Sequence, residues 1–167
     1  MPSDASLFER LLATDRDRTL LFQRILLGAV IFPHGAQKLL GWFGGYGFSG
    51  TMGYFTGTMH LPSPIAFLII MAESLGAIGL VLGAGTRIAA FGIAAVMLGA
   101  VFTTHASVGF FMNWFGNLKG EGFEFHLLAL ALALPLMVRG GGLKSVDAAL
   151  LERLREGTSP VAQPTRT

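Results

Sequence analysis

Four apolar stretches, at about 20–41, 64–84, 87–107 and 122–138, constrain this chain more than any other feature of its sequence. About 20 consecutive apolar residues carry a helix across roughly 30 Å of hydrocarbon. In lipid the backbone must satisfy its own hydrogen bonds, so such stretches become helices. The expectation is an all-α, four-transmembrane-helix bundle. Between the second and third stretches lies only "GAGTR" (83–87), which makes them antiparallel neighbours. The fourth is short, but "LLALALALPLMV" (127–138) is unbroken and the aromatic stretch before it can complete the crossing.

Composition agrees. The chain is 52% hydrophobic and 13% charged, where soluble domains carry about a quarter charged residues. A net charge of +2 without a basic cluster argues against nucleic acid as a partner. There is no cysteine, which excludes disulfides, thiolate nucleophiles and Cys-ligated zinc or iron–sulfur clusters on this chain.

Charge sets direction. Ten of the twelve Lys and Arg residues lie before the first stretch, within its first turns, in the 83–87 turn or after the fourth stretch; Lys38 and Lys119 lie on the other side. Lys and Arg accumulate in cytoplasmic segments, so both termini are expected in the cytoplasm. "MPSDASLFERLLATDRDR" mixes acids with bases and lacks a small-residue cleavage pattern, and reads as a cytoplasmic tail without a cleaved signal. The domain reading is an amphipathic N-terminal segment (1–19), a membrane domain (20–140) and a cytoplasmic tail (141–167). Leu7, Phe8, Leu11 and Leu12 form one apolar face; Val146, Leu150 and Leu154 form another after an N-cap at Ser145. Both are expected as short helices on the cytoplasmic membrane surface. "TSPVAQPTRT" (158–167) is expected as a loose end.

Ionisable residues then stand out by depth. At 1.5 Å per residue, His34, Lys38, Glu73, His105, Glu124 and His126 all fall in the outer half of the bilayer, while the inner half holds almost nothing ionisable. A charge at the centre of an inserted helix costs about 2.5–3.5 kcal/mol, and Glu73 is too short to reach either surface. It must pair, line a wet cavity or hold a proton. Lys38 is the expected partner, and a purely structural Glu73–Lys38 staple is the competing reading. His34 and Lys38 are four residues apart on one helix face, and Pro33 loosens the turn beside them. No Glu-x-x-His pair of the di-iron kind occurs, so no metal is expected. The loops "GWFGGYGFSGTMGYFTGTMHLPSP" and "SVGFFMNWFGNLKGEGF" hold every Trp and Tyr of the chain, and are expected to dip back over the bundle as a lid. Gly76, Gly79 and Gly83 are expected to permit close helix packing.

Arg24, "HGAQKL" (34–39), "ESLGAIGLVLGAGTRIAA" (73–90) and the stretch from His105 through "GFF" to Glu124 together resemble the DoxX family of small four-helix membrane proteins. The likeness covers about 20–140 and leaves out both tails. It implies a bacterial inner-membrane protein linked to oxidoreductase systems, with relatives that pass electrons from sulfur compounds to quinone or answer catechol, quinone or thiol stress. Without cysteine, quinone binding is the compatible chemistry. In that reading His34 or Lys38 hydrogen-bonds a quinone carbonyl and Glu73 handles its proton, with Trp42, His105, Glu124 and His126 completing the site. Expected partners are membrane lipid, an oxidoreductase subunit and a second copy of the chain. The alternative is a non-enzymatic scaffold or small-solute carrier.

Overall fold

A capped start and a glycine stop delimit the first long helix. In the computed structural model, which describes residues 6–158, Asp17 accepts a hydrogen bond from the Thr19 amide (2.7 Å). Helix α2 (Arg18–Leu40) then runs through Pro33 to Gly41, whose φ of 74° ends it. It is preceded by α1 (Leu7–Leu12) and followed by α3 (Gly47–Gly53), α4 (Ser63–Leu82), α5 (Thr86–Ala100), α6 (Glu124–Arg139) and α7 (Val146–Thr158). No strand occurs among the described residues. The expected loose end lies outside the described residues beyond Thr158.

Three of these helices are long and apolar enough to cross a membrane: Arg18–Leu40, Ser63–Leu82 and Thr86–His105, the last being α5 plus a π-helical turn over Val101–His105. Helix α6 has 16 residues, a rise of about 24 Å. Helix α2 packs on α4 and α6, and α5 packs on α4 and α6, which closes a four-membered ring. Its core is made of Leu20, Leu27 and Ile31 from α2, Leu80 from α4, Ile93 and Met97 from α5, and Leu136 from α6. Outside the ring, Leu75, Phe91, Phe102, Leu128 and Val138 are exposed, as expected of helices that are apolar all round.

The closest helix approach uses other glycines than expected. A Cβ on Gly35 would overlap the backbone of Glu73 and Ser74, and one on Gly28 would come within 2.7 Å of the Ala77 carbonyl. Gly76 meets Ala89 only at ordinary contact, 3.8 Å, while Gly83 turns the chain with φ of 69°. The tight seam therefore belongs to α2 against α4.

The two termini and the α4–α5 turn share one end, here the tail end. Ionisable groups are buried at this end too. Arg24 is 2% exposed, and its guanidinium donates to the carbonyls of Leu80 (2.9 Å), Gly141 (2.8 Å) and Lys144 (3.0 Å), and also to Val81 and Leu143. Those oxygens belong partly to the last turn of α4, where helix carbonyls lack their i+4 amide; Leu80 O also accepts from the Gly83 amide (3.2 Å). Arg87 does the same for α6, donating to Met137 and Val138, and reaches Ala13 as well. Buried Asp147 accepts from the Gly85 and Thr86 amides at 2.7 and 2.8 Å, capping α5 from outside its own segment.

Helices α1 and α7 pack together through Leu12, Ala13 and Leu151. The Ser145 hydroxyl accepts from the Ala148 amide (3.2 Å), so the expected cap is present. Leu12 turns inward, while Leu7, Phe8, Val146, Leu150 and Leu154 stay exposed.

Candidate functional site

Lys38 and Glu73 meet. Lysine side chains on a helix lean toward its N-terminus, so Lys38, near the end of α2, reaches back into the bundle, where its Nζ pairs with Glu73 Oε2. Beside the pair, the Ser74 hydroxyl donates to the Gly35 carbonyl (3.1 Å) across the tight α2–α4 seam. Glu73 is 4% exposed, and its Oε2 accepts no hydrogen bond beyond the ion pair. A buried carboxylate with one ionic partner and spare acceptor capacity is not fully committed to the fold.

Lys38 also lines a groove of about 900 Å³ along the α4–α5 face. Most of its wall is apolar or small, including Leu68, Ala72, Gly76, Ala89 and Gly92. Polar groups gather at the loop end, where Lys38, Tyr54, Thr103, Thr104 and His105 line it. Two π-helical turns, Tyr54–Thr58 and Val101–His105, supply four of those five. Such turns shift side chains out of α-helical register. A smaller pocket of about 250 Å³, under the first long loop, shares Lys38, Tyr54 and Phe55 with the groove and adds Gln37, Tyr46 and Thr51. The first loop thus folds as a cover built on α3, though over this pocket rather than over the whole bundle.

The histidines form a second feature. His105 Nδ1 donates to the Glu121 carbonyl (2.7 Å), which in the neutral tautomer would leave Nε2 as the acceptor. The ring stacks on His126 with centroids 4.2 Å apart, His126 abuts Phe125, and Phe125 abuts His34 at 5.9 Å. His126 is buried and its Nδ1 has no hydrogen-bond partner. His34 lies on the surface beside α6, within electrostatic reach of Lys38 and Glu73 but off the groove wall. Among the described residues no three His, Asp or Glu side chains are grouped to hold a metal ion.

Lys38, paired with Glu73, and His105 thus both line the groove, with His126 against His105. Three of the expected residues stand apart: His34, off the groove wall, and two more. Trp42 is exposed and packs edge-on against Phe43. Glu124 accepts from the Met112 amide (3.0 Å) and Trp114 Nε1 (3.3 Å), and so organises the second loop. Tyr54, Phe55, Thr103 and Thr104 were not expected at the site, because helical turns of altered register leave no mark on an apolar periodicity.

The DoxX family profile matches residues 19–106, from the start of α2 through the π-turn that carries His105. The chain belongs to the DoxX family. The match takes in Lys38, Glu73 and His105 but stops short of Glu124 and His126. A protein of Bacillus subtilis (strain 168), named "Putative oxidoreductase CatD", is 27% identical over 137 residues, which cover 82% of this chain and 90% of that protein. No solved structure matches significantly.

Proposed function

We propose that this DoxX protein crosses a bacterial inner membrane four times, with α6 as the fourth span and both termini cytoplasmic, and serves an oxidoreductase system by holding a quinone or similar aromatic ring. The observation that carries the reading is the Lys38–Glu73 pair, whose Lys38 lines both an apolar groove and a smaller pocket. The ten-to-two bias of Lys and Arg supports the orientation, and the name of the B. subtilis relative supports the link to oxidoreduction.

The residues fit such a ring. Binding sites combine apolar walls with a few placed polar groups, and here apolar walls carry an ammonium and an imidazole, with the Glu73 carboxylate held behind the ammonium. Lys38 would donate to a carbonyl oxygen, and the free Nε2 of His105 would accept from a hydroxyl of the reduced ring. Glu73, shielded from water and spare in one lone-pair direction, would hold or release a proton beside Lys38. A bound quinone would supply two-electron, two-proton redox chemistry, with a partner protein as the other electron carrier.

Binding of a short-chain quinone to the purified protein tests this. Saturable binding is expected, weakened about tenfold or more by Lys38→Met or His105→Phe, the loss of one hydrogen bond of about 1.4 kcal/mol. His34→Phe, off the groove wall, should bind as the parent does. Absence of saturable binding, or binding indifferent to Lys38→Met, would favour a membrane scaffold or carrier whose ion pair only braces α2 against α4.

A further inference from the structure

The second long loop is aromatic at its tip and partly hydrogen-bonded within itself. Residues 108–118, "VGFFMNWFGNL", carry no charge. Phe111, Trp114 and Phe115 are exposed, Phe115 to 92%. A loop that projects into water has no need to satisfy its own amides. This one ties part of its backbone down with two carboxylates of its own segment. Glu121 accepts from the Asn113 amide (2.6 Å), and Glu124 takes the Met112 amide and the Trp114 indole N–H. Asn113 holds the Leu118 amide (2.9 Å). The amides of Gly122, Phe123 and Glu124 return to the carbonyls of Phe111, Gly109 and Phe110 at 2.9–3.1 Å. That return path is so close that a Cβ on Gly122 would overlap all three carbonyls.

Length gives the second argument. Helix α5 with its π-turn has 20 residues and α6 has 16, rises of about 30 and 24 Å. The hydrocarbon layer is about 30 Å thick, with polar interfacial layers beyond it. The missing turn of α6 lies at its loop end if Arg87 holds the other ends level, as its bonds from α5 to Met137 and Val138 imply. The segment that precedes Glu124 must then occupy the depth that α6 leaves open.

We propose that the tip of this loop, Phe110 to Phe115, is seated in the lipid interface of the leaflet at the loop end, with its carboxylates turned inward to satisfy the backbone. Unbonded backbone groups are excluded from hydrocarbon, so a tip with only its Met112 and Asn113 amides bonded inside the loop belongs at the headgroup boundary, which Trp side chains favour. Glu121 and Glu124 thereby serve as internal clamps, and the loop anchors α5 and α6 instead of capping the bundle.

Trp42→Phe leaves Trp114 as the single tryptophan. In phosphatidylcholine vesicles, bromines on acyl carbons near the headgroup should quench Trp114 strongly, bromines near the chain end less, and aqueous iodide hardly at all. Quenching by iodide without quenching by bromolipid overturns the proposal, as does protection from both, which would mean that protein covers the tip. Glu124→Ala should lose the bromolipid quenching, since it frees the Met112 and Trp114 N–H groups; retained quenching would remove the clamp from the explanation. Should Trp42→Phe not fold, bimane on Phe115→Cys in an otherwise native chain reports the same depth, through a blue-shifted emission that iodide leaves unchanged. A water-like, iodide-sensitive emission there overturns the proposal equally.

Discussion

The two ends of the bundle both bury charge, and they bury it differently. At the tail end Arg24, Arg87 and Asp147 direct their donors and acceptors to backbone groups that the helix termini leave unpaired. At the loop end Glu73 has one ionic partner, and both Glu73 Oε2 and His126 Nδ1 lack a hydrogen bond. Among the described residues the tail end has a single comparable deficit, the uncharged Thr86 hydroxyl. A charge whose bonds are all made is committed to the fold. One with capacity to spare can serve a ligand, and that contrast is what locates the candidate site.

The contrast breaks first at Arg24. Arg24→Met would strip hydrogen bonds from carbonyls of α4 and of the 141–144 segment at once. Each buried acceptor left without its partner costs about 1–3 kcal/mol, and several are lost together, so the variant should unfold far more readily in detergent or fail to accumulate. Arg24→Lys should rescue little, since an ammonium cannot reproduce the planar fork. Near-native stability of Arg24→Met would show that the tail end is not the structural end.

Sequence legibility follows the same division. Apolar length marked α2, α4 and α5, "GAGTR" marked their turn, and the cost of a bare carboxylate at mid-membrane pointed Glu73 to Lys38. Arg24 was legible only as one more cytoplasmic cation, because nothing in a positive-inside count says that a guanidinium turns inward to cap a distant helix. The signal lay in the Gly140–Gly142 run: a Cβ on Gly140 or Gly142 would overlap backbone from the stretch between α1 and α2, and Gly141 offers its carbonyl to Arg24. The short α6 was hidden because its aromatic approach is as apolar as the helix. His34 misled because a four-residue spacing is about 40° off register, enough to turn it toward α6 while the longer Lys38 reaches α4.

A middle-sized effect sharpens the loop end. Glu73→Gln and Lys38→Met should each destabilise the protein by stranding a buried partner, and the double variant should cost less than the sum. A coupling of about 0.5–3 kcal/mol is expected for residues in contact. Combined with quinone binding, the cycle separates two roles. Coupling without ligand binding marks a brace; coupling with binding lost in both single variants marks a site. Additive costs would mean that the pair contributes nothing jointly.

The smallest effect lies on the tail-end surface and asks whether that end is polar-saturated out to its rim. Asp17 caps α2 and meets Arg139, which also meets Asp15. The Thr19 amide holds the Asp17 carboxyl below its ordinary value; partial burial opposes this, and Arg139 adds to it. A depressed folded-state pKa contributes stability that is present above the unfolded value, about 3.9, and is lost as pH falls through the folded value. The parent should therefore weaken as the pH drops below about 4, with α2 fraying from its first turn. Asn is as good an N-cap as Asp, so Asp17→Asn should match the parent closely near neutrality and lose part of the acid dependence. Glu9, also held low by Ser6, titrates in the same range but is common to both proteins, so the difference between their melting curves against pH isolates Asp17. Identical acid profiles would mean that the cap, and not its charge, is all that this rim supplies to α2.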